Sequence, residues 1–246
     1  MQYFRMEFLV KLIMGPISEK LQVVHTAIGN AARAVSRDTH AVALLAVSKT
    51  FGPDAVLAAA DAGQRAFGEN YLQEALDKMQ AVRALRPELM LEWHFIGPIQ
   101  SNKTKPIAEH FDWVHSIDRE KIARRLSEQR PAGLPPLNVC LQVNISREES
   151  KAGVMPEEAL QVAQAITAMP QLRLRGLMAI PAPTDDTAAQ RAAFRAVREL
   201  FDTLRAEGLD IDTLSIGMSA DLDAAIAEGA TIVRVGSAIF GQRRQA

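Results

Sequence analysis

Seven apolar residues run without a break from Ala41 to Val47, and polar residues follow them. An unbroken apolar run of this length is typical of a strand that is buried on both faces of a parallel sheet. Ser48, Lys49 and Thr50 come directly after it. The pattern therefore places a lysine amine where a buried strand opens into its loop, which is where α/β folds bind ligands.

Seven further segments have the length and composition of strands. They cover residues 65–68, 91–96, 113–116, 137–143, 172–180, 213–215 and 231–235. Segments with helical spacing of apolar residues precede, separate or follow them, at residues 18–37, 54–61, 72–85, 103–110, 118–129, 156–169, 185–207 and 221–228. Ser18 is expected to cap the first helix, and Pro106 to break the helix 103–110 early.

This alternation predicts the fold class. Strands that alternate with helices pair in parallel through helical crossovers, and eight such units in one domain predict an α/β fold with a single closed (β/α)8, TIM-like barrel. A doubly wound open sheet is the structural alternative. Residues 15–246 would form the barrel domain. Residues 1–14, whose apolar stretches are interrupted by Lys11, are expected to be an N-terminal arm or the product of a start site placed too far upstream.

Composition narrows the classes of function. The formal net charge is −1, which favours neither nucleic acid nor an acidic membrane surface as a partner. The single cysteine, Cys140, makes no intrachain disulfide, so a cytoplasmic location is expected. His94 and His115 are interpreted as structural, because no cluster of His, Cys and carboxylates has the spacing of metal ligands. Walker A, G-x-G-x-x-G and G-x-S-x-G motifs are also lacking in the sequence.

The predicted strand ends collect polar residues at one mouth of the barrel. The stretch Ser215–Ser219 follows strand seven and Gly236-Ser237 follows strand eight, where barrels of this class commonly bind phosphate. Taken alone, either loop is more simply an ordinary turn or cap. Arg234 lies inside an apolar strand and needs a partner, which is either a ligand or an ion pair at the bottom of the barrel. Together with Lys49 these groups suggest pyridoxal 5′-phosphate, bound through its aldehyde to the lysine as a Schiff base.

A series of short motifs between Leu44 and Gly241 carries a resemblance to a known family. The motifs are Leu45–Thr50, Phe67–Tyr71, Glu92–Pro98, Gln100–Lys103, Val143–Ser146 with Ser150-Lys151, Arg175–Ile180, Ser215–Ser219 and Val233–Gly236. As an ordered set they resemble the pyridoxal phosphate homeostasis proteins, which are similar to the barrel domain of bacterial alanine racemases.

The resemblance implies roles for individual residues. Lys49 would carry the cofactor as a Schiff base, with Asn70 lining the pocket and Arg234 facing the pyridine nitrogen. Lys151 matches a family lysine linked to a second cofactor site or to cofactor transfer. The remaining predicted cofactor-binding residues lie in the two phosphate loops: Ser215, Met218, Ser219, Gly236 and Ser237.

The leading functional hypothesis is a carrier of pyridoxal phosphate in vitamin B6 homeostasis, without substantial turnover. An arginine beside the ring nitrogen donates to it but does not readily protonate it, so the ring would be a poor electron sink. Two alternatives stay open: an amino-acid racemase of low activity, and a cofactor-free Schiff-base aldolase whose phosphate loops hold a sugar phosphate. Expected partners are pyridoxal phosphate and, transiently, cofactor-dependent apoenzymes. A monomer is expected because nothing in the sequence demands a dimer.

Overall fold

The computed structural model describes residues 16–148 and 151–241, and their eight strands form one closed parallel barrel. The strands are β1 (Ala43–Val47), β2 (Ala66–Glu69), β3 (Glu92–Phe95), β4 (Trp113–Ile117), β5 (Leu137–Gln142), β6 (Leu172–Met178), β7 (Thr213–Ser215) and β8 (Ile232–Val235). Each strand pairs with the next in sequence order, and β1 pairs with β8. The predicted (β/α)8 barrel is confirmed, and the open-sheet alternative is wrong. The N-terminal arm predicted for residues 1–14 lies outside the described residues.

Helices cover the outside of the barrel and connect its strands. Within the described ranges they are α1 (Ile17–Ala34), α2 (Pro53–Asp61), α3 (Leu72–Leu85), α4 (Thr104–His110), α5 (Glu120–Gln129), α6 (Ala159–Thr167), α7 (Thr187–Ala206), α8 (Leu222–Ala227) and α9 (Ser237–Phe240). Short 3₁₀ turns occur at Thr39–Ala41, Ser101–Lys103 and Pro156–Glu158. Each crossover places a helix against the outer face of the sheet, as parallel pairing requires.

Three local expectations are corrected by the structure. Ser18 does not cap α1, which begins at Ile17 after Pro16 without a side-chain cap. Pro106 lies in the first turn of α4, where a missing N–H costs little, so the helix continues to His110. The first strand begins at Ala43 rather than Ala41, because the Asp38 carboxylate accepts from the His40 N–H and holds residues 39–41 in a 3₁₀ turn.

The hydrophobic core has two separate parts. The larger part lies between the outer face of the barrel and the helices, and it includes Val114, Leu141 and Leu177. Because side chains alternate between the faces of a strand, the neighbours of these residues point into the barrel. A second cluster of Trp113, Cys140 and Met178 fills part of that interior. Polar side chains are also buried inside the barrel, among them His94, His115 and Arg234, towards the mouth where the strands end.

Candidate functional site

Lys49 stands beside the strands that carry the other candidate residues. Val47 of β1 is in register with Gly68 of β2, and Ala46 is in register with Val235 of β8. Extending these registers past the strand ends places Lys49 between the loop that begins at Asn70 and the loop that begins at Gly236. The side chain of Lys49 is half-buried. First and last strands thus bring residues from both ends of the chain to one mouth.

A buried ion-pair cluster fixes the backbone on both sides of Lys49. The Lys78 ammonium donates to the Glu69 carboxylate at 2.6 Å and to the Ser48 carbonyl at 2.8 Å. It also donates to Glu74 at 3.0 Å, and Glu74 in turn accepts from the Thr50 N–H at 2.6 Å. Thr50 has a φ of 68°, a conformation that needs such support. We call these three side chains, Lys78, Glu69 and Glu74, the lysine-loop cluster.

Glu69 is the most deeply buried member of the lysine-loop cluster. Its side chain is 0% exposed, and the Ser48 hydroxyl donates to it at 2.6 Å. Burial raises the pKa of Glu69, and the Lys78 ammonium and the Ser48 hydroxyl act in the opposite direction. The sequence interpretation missed this cluster. The sequence pattern that could have revealed it is the pair Glu74 and Lys78, which are four residues apart on the face of α3 that turns towards the barrel.

Asn70 supplies a buried acceptor at the mouth. Its Oδ1 atom has no hydrogen-bond partner among the described residues, although it is shielded from solvent. Gly97 packs against the Asn70 backbone so closely that a Cβ at position 97 would lie 2.2 Å from the Asn70 carbonyl oxygen. A buried polar atom without a partner is costly in a folded chain unless a ligand satisfies it. Asn70 therefore marks a place for a donor group of a bound molecule.

Arg234 lies on β8, the strand that pairs with β1, and it is 5% exposed and held by three hydrogen bonds. Its guanidinium donates to the carbonyl and, at 2.9 Å, to the hydroxyl of Ser215, and at 3.1 Å to the Ala179 carbonyl. Burial lowers the pKa of Arg234 to about 10, which leaves the group charged at pH 7. No carboxylate pairs with it among these contacts. The ion pair at the bottom of the barrel, one of the two sequence interpretations, is not what the structure shows.

The two predicted phosphate loops lie on the neighbouring strands β7 and β8. Met218 and Ser219 are exposed after β7, and the Met218 N–H donates to Asp221 at 2.6 Å. Gly217 has a φ of 94°, a left-handed conformation that glycine adopts without strain. Gly236 precedes α9, and Ser237 is the first residue of that helix and is exposed.

Ser215 has a different placement from the other phosphate-loop residues. Its hydroxyl is fully buried inside the barrel, where it contacts Arg234 and the Nδ1 atom of His115. His115 Nε2 contacts His94 Nδ1 at 2.8 Å, and His94 Nε2 contacts the Glu92 carboxylate at 2.7 Å. The two histidines are thus packed in the interior, as the sequence interpretation expected. Sequence reasoning missed that they touch each other and connect Glu92 to Ser215.

Lys151 lies in the loop after β5. Asn144, at the end of that strand, organises the loop by donating to the carbonyls of Glu148 at 2.8 Å and Lys151 at 3.4 Å. The Lys151 ammonium lies 2.7 Å from the Glu148 carboxylate. Lys151 is therefore held by its own loop, separately from the contacts that surround Lys49 and Arg234.

Other kinds of site have little support in the described part of the chain. No group of three His, Cys, Asp or Glu side chains there has an arrangement that could hold a metal ion. No described helix is long and apolar enough to cross a membrane. A cavity of about 770 Å³ is lined by α3, α4 and residues 87–91. It lies on the outside of the barrel and includes none of the strand-end residues discussed above.

Comparison with known proteins identifies relatives of this chain. The family model of the alanine racemase N-terminal domain matches residues 25–244. The pyridoxal phosphate homeostasis protein of Pseudomonas aeruginosa is 61% identical over 230 residues, which cover 94% of this chain and 97% of the relative. A relative of the same name from Escherichia coli K12 is 52% identical and covers 94% of this chain and 98% of its own length.

A solved structure extends the comparison. PipY of Synechococcus elongatus, crystallised with pyridoxal phosphate bound, is 36% identical, with a TM-score of 0.74 over 87% of this chain and all of its own. The chain described here thus belongs to the pyridoxal phosphate homeostasis protein family, within the wider alanine racemase N-terminal-domain fold.

Proposed function

We propose that this chain binds pyridoxal 5′-phosphate through Lys49 and serves in vitamin B6 homeostasis by holding and releasing it. One observation carries the proposal: Lys49 opens onto a mouth that contains a buried cation on Arg234 and a buried acceptor on Asn70 that no described residue satisfies. The names of the relatives support it, as does the pyridoxal phosphate in PipY.

The residues of the mouth fit the chemical groups of this cofactor. Arg234 has five N–H donors and makes three hydrogen bonds to the protein, so it keeps donor capacity for a ring nitrogen. The Asn70 Oδ1 atom would accept from a ring hydroxyl. Ser219, Gly236 and Ser237 would hold the phosphate with hydroxyls and backbone N–H groups, whereas the Met218 N–H already donates to Asp221. We assign the Ser215 hydroxyl to Arg234 rather than to the phosphate, because it lies buried between Arg234 and His115.

Reversible condensation is the only covalent chemistry this role needs. The Lys49 amine adds to the cofactor aldehyde, a C=N bond forms and one water is lost, and release consumes one water. The charged guanidinium of Arg234 donates to the ring nitrogen without giving it a proton, which disfavours carbanion chemistry. The protein would therefore protect and deliver the aldehyde rather than use it.

Racemisation is the rival function within the same fold. It requires an acid/base group on each face of the bound amino acid. The chain has two tyrosines, Tyr3 and Tyr71, and Tyr71 is 48% exposed at the end of β2. The relatives are named for homeostasis rather than for an enzyme activity. We propose the carrier role, and substantial turnover of an amino acid by the purified, loaded protein would contradict it.

An absorbance titration tests the proposal. Wild-type protein mixed with pyridoxal phosphate should develop a band at about 420 nm that Lys49→Ala abolishes. Lys105→Ala is the matched control, because Lys105 is an exposed lysine on α4. A wild-type spectrum without the band would refute cofactor binding. It would favour the aldolase alternative, in which the lysine serves another carbonyl.

Lys151 and the partner proteins extend the same proposal. We propose that Lys151 is a second, weaker attachment point used during transfer to apoenzymes. Borohydride reduction followed by peptide mapping should find a pyridoxyl group on Lys49 at low cofactor concentration and additionally on Lys151 at high concentration. Modification of Lys105 to the same extent as Lys151 would show only nonspecific labelling.

We also propose that the protein is a monomer. Light scattering of the protein as it elutes from a size-exclusion column would test this.

A further inference from the structure

A continuous chain of hydrogen bonds passes through the interior of the barrel. Glu92 contacts His94 at 2.7 Å, His94 contacts His115 at 2.8 Å, and His115 contacts Ser215 at 2.8 Å. Ser215 contacts Arg234 at 2.9 Å. We call these five side chains the barrel relay. They come from β3, β4, β7 and β8.

Donor and acceptor counting allows the barrel relay to run in one direction. Arg234 can only donate, so the Ser215 oxygen accepts from it. If the Ser215 hydroxyl proton goes to His115 Nδ1, then His115 carries its proton on Nε2 and donates it to His94 Nδ1. His94 in turn donates its Nε2 proton to the Glu92 carboxylate. All four bonds then point from the guanidinium to the carboxylate, whereas a serine oxygen that also accepted from His115 would break that direction.

The surroundings hold this arrangement in place. The His94 ring stacks on Trp113 at 5.3 Å with 5° between the planes, and the Arg175 guanidinium covers Trp113 at 4.7 Å. Burial lowers the pKa of His115 well below its ordinary value, which agrees with a neutral His115 ring. The hydrogen bond from His94 lowers the pKa of Glu92, which agrees with a carboxylate at the end.

The two ends of the barrel relay lie at opposite ends of the barrel. Glu92 is the first residue of β3 and its side chain is 49% exposed, so the anion is solvated. Arg234 is buried near the mouth. Aligned hydrogen bonds polarise one another in a low-dielectric interior, so each bond strengthens the next. A solvated anion is in this way linked to a cation that makes no salt bridge to a described carboxylate.

We propose that Glu92, His94 and His115 are positioning residues for the cofactor: through Ser215 they fix the direction in which Arg234 donates and keep it aimed at the bound ring. The proposal deepens the proposed function and rests on it. The two buried histidines would then have a function in addition to packing. They would determine how tightly the ring is held and the electronic state of its nitrogen, although neither touches the ring.

The direction of the relay is tested without any cofactor. In ¹⁵N-histidine-labelled protein, two-bond ¹⁵N–¹H correlation spectra at pH 7 should show both His94 and His115 as neutral rings protonated on Nε2. Substitutions at each histidine assign the signals. A Nδ1-protonated or doubly protonated ring at either position would overturn the proposal.

The effect on the site is tested with variants of His115. His115→Phe removes the acceptor for Ser215, and His115→Asn restores it, because its Oδ1 atom occupies the position of Nδ1 relative to Cβ. We expect His115→Phe to weaken pyridoxal phosphate binding at least tenfold and to shift the absorbance maximum of the bound chromophore. His115→Asn should recover most of both. Val114→Ala, on the same strand but facing the helices, is the control for lost packing.

Each result has a defined meaning. Equal affinity and an equal absorbance maximum in His115→Phe and Val114→Ala would overturn the proposal even if Lys49→Ala abolishes binding. A His115→Phe chain that fails to fold leaves the decision to His115→Asn and to the tautomers of the wild-type protein. If wild-type protein does not bind pyridoxal phosphate, the proposed function fails and this inference fails with it. The tautomer spectra then show only whether the directed relay exists.

Discussion

Replacing Lys78 by methionine should destabilise the protein strongly, although Lys78 is not itself a predicted cofactor contact. The side chain is 3% exposed and its ammonium lies 2.6 Å from a carboxylate that is 0% exposed. Removing one partner of a buried ion pair costs about 3–5 kcal/mol, because the remaining charge is left without compensation. A domain has about 5–15 kcal/mol of total stability, so a large share would be lost.

Glu69 sets an upper limit on this loss. Burial already raises its pKa, so without Lys78 the carboxyl would take up a proton rather than remain charged. The double variant Lys78→Met/Glu69→Met should therefore be clearly more stable than Lys78→Met alone, since no buried charge remains. Urea unfolding of both single variants and the double variant gives the coupling energy directly.

Lys105→Met is the matched control, since Lys105 is exposed and lies 3.8 Å from Glu109 in an i, i+4 pair. It should cost no more than about 0.5 kcal/mol. A loss below about 1 kcal/mol for Lys78→Met, or strict additivity in the double variant, would refute the assignment of a supporting ion pair. Cofactor affinity should fall in Lys78→Met as well, because the cluster holds Ser48 and Thr50 on either side of Lys49.

Three further outcomes are expected. The Cys140 thiol, whose pKa burial raises to about 12, should react with iodoacetamide only after unfolding, and rapid labelling of native protein at pH 8 would contradict its burial. The pKa of His115 is depressed in the folded protein, so as the pH falls below 6.5 only the unfolded chain takes up a proton at this residue. The free energy of unfolding should therefore decrease as the pH falls, by at most about 1.4 kcal/mol per pH unit from this group. Urea unfolding between pH 7.5 and 5.5 should show a smaller slope for His115→Asn than for wild type, and equal slopes would contradict this. Gly97→Ala should displace Asn70 and weaken cofactor binding, whereas Gly133→Ala, with open space around its Cβ, should not; equal affinities would exclude a role for this contact.

The sequence was sufficient to predict the barrel because the alternation of strand and helix patterns repeats along the chain. Eight short strands alternate with helices, and any one weak segment, such as residues 213–215, is supported by the regularity of the others. Boundaries were less predictable. Ala41 is as apolar as its neighbours, yet the Asp38 side chain holds it in a turn, which hydrophobic periodicity does not reveal.

The site was predictable at strand ends and unpredictable inside the barrel. Lys49 and Asn70 could be placed together because parallel strands share an end. The barrel relay depends on which side chains face inward on the non-neighbouring strands β4 and β7, and that requires the shear of the barrel. The lysine-loop cluster depends on how α3 packs against the ends of β1 and β2. Ser215 illustrates the difference: its loop suggested a phosphate ligand, and its hydroxyl lies instead between Arg234 and His115.

Barrel closure has a consequence for how the protein acquires its cofactor during synthesis. Lys49 follows the first strand and Arg234 lies on the last, and these strands become neighbours only when β1 pairs with β8. A ribosome-bound chain that lacks β8 therefore has the reactive lysine but neither the guanidinium nor the last phosphate loop. Contacts so distant in sequence form late in folding. Cofactor capture would thus report that translation and folding are both complete, and truncated chains would remain unloaded and exposed to proteolysis.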